Sequence, residues 1–238
     1  MGLNAKDKKY EGGNRVEQDP LEPGTYPVRV AQVIDLGVQE QQPYQGQVKP
    51  PVQELMVTYE FLDEFIKDEE GELDLDRPRW LSENFAFHSL DSDLAKSTKR
   101  YYALDPDLSV GGDWTKLGGF PAMATVINKP GKGKNAGKVF NNIGALSSMR
   151  KKEADKAPEL KKPAKIFNQE DLDTVDIFFT LPKWVQDKIK SGLEWEGSDM
   201  AKAVSEYKKP EEGDKKAEPA KKQKPKPEPE ANEEEEDW

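Results

Sequence analysis

Leu55, Val57, Tyr59 and Phe61 alternate with Met56, Thr58 and Glu60 between Gln53 and Phe61. This period of two is the mark of a strand that lays one face on a core. Such a strand needs partners, because an isolated pair is barely stable in water. Thr25 to Leu36 offers the first. It is rich in β-branched residues, Val28 and Val30 share a face, and the neighbours Val33 and Ile34 imply a bulge or a strand buried on both sides. A loop rich in Gln, Pro and Gly, with Tyr44 in it, separates the two. Arg79 to Phe87 reads as a third strand, with Trp80, Ser82, Asn84 and Ala86 on one face and Leu81, Phe85 and Phe87 on the other. Ala122 to Ile127 and Lys138 to Ile143 read as two more, joined by the flexible basic loop Asn128 to Gly137.

Between the third and fourth strands, Leu90, Leu94, Thr98 and Tyr101 fall at helical spacing, with Ser89 or Asp91 as a cap and Pro106 as a stop. Five strands with one helix midway are what a small barrel of the oligonucleotide-binding (OB) type requires, and a generic mixed sheet is the alternative. The expected fold is therefore mainly β with a few helices: a five-stranded OB-like barrel, a small C-terminal helical element and a disordered tail. The expected organisation is a flexible arm over 1–23, the barrel over 24–148, a basic linker over 149–165, the helical element over 166–198, and a tether over 199–238. In the helical element, Pro182 sits near a helix start, Trp184, Val185 and Ile189 share a face, and Gly192 can end it.

The residue inventory excludes much chemistry. The chain has no cysteine and one histidine, His88, which removes thiol nucleophiles, thiolate metal sites and most catalytic triads. The loop Gly131 to Val139 falls short of a phosphate-binding loop. Its glycine spacing is wrong, Val139 stands where a magnesium-binding hydroxyl is needed, and it joins two strands instead of opening a helix. The acidic stretch Asp63 to Asp76 lacks the spacing of a calcium loop. No catalytic set emerges, so the expectation is a protein without enzymatic activity, cofactor or metal. No apolar run is long enough to span a membrane, and Met1 to Gly13 lacks the apolar region of a secretory leader, so a cytoplasmic protein is expected.

A net charge of −10 argues against a simple nucleic-acid binder, but the charge is segregated. Val52 to Leu94 carries 13 acidic residues against 3 basic, whereas Pro121 to Lys165 carries 11 basic against 3 acidic. A ligand meets the local field, not the sum. The candidate contacts follow. Lys129, Lys132, Lys134 and Lys138 on the basic hairpin can each displace a counterion from a phosphate backbone. Lys96, Lys99 and Arg100 beside Tyr101 and Tyr102 join cations to rings that stack on unpaired bases. Arg79 and Trp80 open a strand face that is otherwise polar, and Phe140 is a further stacking candidate. Each has a plainer alternative: a solvated hairpin tip, a tyrosine packed in the core, a tryptophan packed on the helix or the arm.

The chain ends in five acids and a tryptophan, Glu233, Glu234, Glu235, Glu236, Asp237 and Trp238, after a tether in which Lys208 to Trp238 holds 8 Lys and 11 acids. Such a stretch stays extended and solvated. A small β-rich domain with a basic hairpin and basic-aromatic patches, then a Pro/Lys/Glu tether, then an acidic tip closed by an aromatic, resembles the single-stranded DNA-binding proteins of bacteriophages. Gly24 to Phe65, Lys96 to Asp105 and Leu181 to Ile189 carry the likeness in the folded part. The family commonly ends in Phe, where this chain has Trp238. The resemblance implies an OB fold, sequence-independent binding of single-stranded DNA in phage replication or recombination inside the host cell, and an acidic tip that recruits replication proteins. The rival expectation is an interaction adaptor of a replication or recombination complex that binds no DNA itself.

Overall fold

The structure, a computed structural model, describes residues 18–43 and 45–208. Its frame is a pair of long strands, β1 (Gly24–Gln39) and β2 (Val52–Lys67), antiparallel along most of their length. β3 (Leu73–Ala86) extends the sheet beyond β2, and β4 (Pro121–Pro130) and β5 (Val139–Ser148) extend it beyond β1. The order is β3-β2-β1-β4-β5, all antiparallel, and a short β6 (Lys165–Phe167) pairs parallel to β1. Helix α1 (Lys96–Leu104) lies between β3 and β4 in sequence. It starts later than the spacing suggested. Ser89 and Asp91 form a turn of their own, Ala95 is the N-cap without a side-chain hydrogen bond, and Leu94 is exposed.

The period-two pattern places the core. Val28, Val30, Val33, Leu55, Val57, Tyr59 and Phe61 point inward with Phe85 from β3, Ala122, Ala124 and Val126 from β4, and Ile143 from β5. α1 closes over them with Tyr101 and Leu104, and Trp114 stacks edge-on against Tyr101, ring centroids 5.6 Å apart. The end strands β3 and β5 share no hydrogen-bonded ladder among the described residues. Side chains link them instead. Arg100 on α1 donates to Glu83 of β3 at 2.7 Å and to the Ile143 carbonyl of β5 at 3.3 Å. At the other end residues 18–21, read above as part of a flexible arm, fill the gap. Leu21 exchanges two hydrogen bonds with the Asn141 side chain, and Gln18 exchanges two with the Lys67 backbone.

The larger departure from expectation is the outer face of β1 and β2. The stretch 149–165, expected to be a linker, begins with helix α2 (Lys151–Ala154) and then straps across that face. Arg29, nearly buried, donates to the carbonyls of Pro158 at 2.7 Å, Ala157 at 3.0 Å and Gly119 at 2.7 Å. Glu60, also buried, accepts from the Lys161 amide and the Trp80 indole, both at 2.9 Å. β6 then occupies the edge of β1 at Gln32–Ile34, beyond the part that β4 covers. Helices α3 (Val175–Thr180), α4 (Lys183–Lys190) and α5 (Asp199–Glu206) complete the cover. They form a second core of Ile34, Leu36, Met56, Phe167, Phe178, Leu181, Val185, Ile189 and Met200. The segment 199–206, assigned above to the tether, is thus α5, capped by Ser198 and anchored by Met200. The helical region is not a separate appendage but the second layer of the sheet. Residues 1–17, Tyr44 and 209–238, including the acidic tip, lie outside the described residues. No described helix is long and apolar enough to cross a membrane.

Candidate nucleic-acid interface

The four hairpin lysines come together. β4 and β5 bring Lys129 and Lys138 to the mouth of the hairpin, and a tight turn over Gly133–Asn135 carries Lys132 and Lys134 at the tip. All four are exposed, and none forms an ion pair with a described residue. Gly131 makes the turn possible: a Cβ there would lie 2.2 Å from the Asn135 carbonyl oxygen and 2.8 Å from the Phe140 ring. Phe140 stands opposite Lys129 on the outer face of the hairpin and is 43% exposed. A cation and an open ring therefore share one face, as stacking with phosphate neutralisation requires.

The cations and rings of α1 divide. Arg100 is buried, with two hydrogen bonds to Glu83, and so is not the backbone contact that its neighbours in sequence suggested. Tyr101 has no exposed surface. Its hydroxyl donates to Asp105 and accepts from the Gly112 amide at 2.8 Å, so it cannot stack on a base. Burial, with the Asp105 carboxylate beside it, pushes its phenol pKa up. Lys96 is bound to Glu83 at 2.7 Å and lies over the Phe85 ring. Lys99 and Tyr102 remain, one turn apart on the exposed side of the helix. With Leu146, Ser147 and Ser148 of β5 they line a shallow groove of about 370 Å³. On β3, Arg79 donates to the carbonyls of Phe65 and Asp19, and Trp80, 42% exposed, is held by Glu60 beside the strap.

Sequence reasoning passed over a second basic group. Met149 to Pro158 follows β5 directly and borders a groove of about 780 Å³. Its floor is apolar: Pro27, Leu62, Met123, Met149 and Pro158. Arg150, Lys152 and Lys156 stand on its rim beside the acids Asp63 and Glu153. Arg150 pairs with Glu153 at 3.4 Å, and burial raises the Asp63 carboxyl above its ordinary range. Ser148 lines both grooves. The signal was there in the basic block 121–165. Reading its second half as linker set these cations aside.

Among the described residues no group of three or more His, Asp or Glu is placed to hold a metal ion. The sequence matches no protein-family model, and no curated protein matches it either.

Proposed function

We propose that this chain is a non-enzymatic, largely sequence-independent single-stranded DNA-binding protein built on an OB-type barrel. The observation that carries the reading is the strand order β3-β2-β1-β4-β5, with a helix between β3 and β4 and a lysine hairpin between β4 and β5. In an OB fold the order is the same and the β4–β5 loop is one of the two that grip oligonucleotides. The link from Arg100 to Glu83 and the Ile143 carbonyl stands where the closing ladder of such a barrel would run. Lys99, Lys129, Lys132, Lys134 and Lys138 are the phosphate contacts, and Tyr102 and Phe140 the stacking platforms. The tip Glu233 to Trp238 is assigned to recruitment of replication or recombination proteins, in the cytoplasm of an infected host.

Fluorescence anisotropy of labelled oligo-dT with the full-length chain, at low and high salt, tests the reading. Binding that weakens steeply with salt is expected. An unchanged anisotropy at low salt would instead favour the adaptor reading, for which the net charge of −10 and the acidic β2–β3 hairpin speak.

A further inference from the structure

We infer that the nucleic-acid track lies on the outer face of β1, β4 and β5, and that the groove beside Met149–Pro158 receives an unstacked base at its end. This rests on the single-stranded DNA reading above. Three observations carry it. First, the outer faces of β1 from Arg29 onward and of β2 up to Glu60 are closed. Rows Arg29/Glu60 and Gln32/Thr58 lie under or beside the strap, and Ile34/Met56 lies under the helices. Second, the outer face of the neighbouring strands is open and continuous. Thr25, Met123, Thr125, Ile127, Phe140 and Asn142 are exposed or half-exposed on it. It has cations at both ends: the hairpin lysines at one, and Arg150, Lys152 and Lys156 at the other. From Lys129 to Met123 along β4 is about 20 Å at the rise of an extended strand. Third, the field favours this side. β2 and β4 both run antiparallel to β1, so the β2–β3 and β4–β5 hairpins project at the same end of the sheet. The first carries Asp68, Glu69, Glu70 and Glu72, the second four lysines. A polyanion is repelled from the β3 side and drawn to the β4–β5 side. At the far end the apolar floor of Pro27, Met123 and Met149 suits a base face, and the rim cations suit its phosphates.

Full-length variants and oligo-dT anisotropy decide the point. Lys152→Glu with Lys156→Glu is expected to weaken binding about tenfold or more at low salt, since two phosphate contacts become repulsions. Asp63→Asn removes the rim acid that pairs with no cation among the described residues and is expected to tighten binding a few-fold, a gain that misfolding cannot imitate. Asn84→Glu, on the exposed outer face of β3, and Glu170→Gln, near the covering helices, are expected to change nothing. Oligo-dT is expected to shield Lys152 and Lys156 from acetylation along with the hairpin lysines. If Asn84→Glu weakens binding and the groove variants do not, the track is on β3 and this inference falls while DNA binding stands. Shielding confined to the hairpin overturns the groove assignment. If the unmodified chain binds no oligo-dT at low salt, both readings fall together.

Discussion

Glu83 lies on the inner face of β3 and receives four donors: two from Arg100 at 2.7 and 3.1 Å, the Tyr59 hydroxyl at 3.0 Å and Lys96 at 2.7 Å. Burial alone would raise its pKa, but the hydrogen bonds from Arg100 and Lys96 overcome that and hold it below the ordinary range. Removing one partner of such a pair leaves an uncompensated buried charge. Arg100→Ala is therefore expected to cost about 3–5 kcal/mol, read as a lower urea midpoint. Lys at the same place keeps the charge but cannot span Glu83 and the Ile143 carbonyl together, so it should recover only part of the loss. A variant that melts normally yet loses oligo-dT would return Arg100 to the DNA contacts. Asp105 behaves like Glu83. Burial raises its pKa, and bonds from the Val110 amide, Ser109 and Tyr101 lower it further than burial lifts it. Both carboxyls thus bind protons less readily folded than unfolded. Their stabilisation is full above the unfolded carboxylate range and is lost as pH falls through the folded values. The melting temperature should be flat near neutrality and decline below about pH 4, and Asp105→Asn should make that decline shallower.

At the scale of elements, β1 and β2 are sandwiched, and the C-terminal helices are one of the two slices. Phe178 has no exposed surface and stacks on Trp195 with centroids 5.7 Å apart. Phe178→Ala is expected to destabilise by about 3–5 kcal/mol in a single cooperative transition, because the layer shares β1 and β2 with the main core. An early, separate melting of the helices alone would show that they form an independent unit. This layer also marks how far the sequence could be read. The inner face of β2 was legible because Leu55, Val57, Tyr59 and Phe61 alternate without interruption. The adjacent Val33 and Ile34 left open a bulge or a strand buried on both sides, and in the fold each lines a different core. The opposite face of β2 was not legible. Thr58 and Glu60 are as polar as residues facing water, yet they are buried, satisfied by Gln32, Ser82, Trp80 and the strap backbone. A polar face covered by hydrogen-bonding chain has the same sequence pattern as one covered by solvent. The same limit applies to the candidate site. Exposed hairpin lysines follow from a Gly-rich turn, whereas the burial of Arg100 depends on Glu83, 17 positions away in the chain. The tyrosine pair was separable only as one core and one free residue, and helix packing decides that Tyr101 is the core member.

For the whole molecule, a chain of net charge −10 can hold a polyanion only if its cations act locally. The fold provides this by turning a basic hairpin and an acidic hairpin out at one end of the sheet, on strands at opposite edges of the order. Screening at physiological salt reaches about 8 Å, so a phosphate in contact with Lys132 or Lys134 feels those lysines far more than any charge beyond that range. The consequence is quantitative. Each phosphate neutralised on a single strand contributes about −0.7 to the slope of log K against log salt. Lys132→Ala with Lys134→Ala should move that slope about 1.4 towards zero, and weaken dT, dC and mixed oligomers by similar factors, because phosphates carry no sequence. Phe140→Ala should do the opposite. It removes a ring and no charge, so the affinity should drop by about 1–3 kcal/mol while the slope stays where it was. A slope that shifts with Phe140→Ala, or stays fixed when both lysines are gone, would separate the hairpin from the bound strand and leave its charge to serve solubility alone.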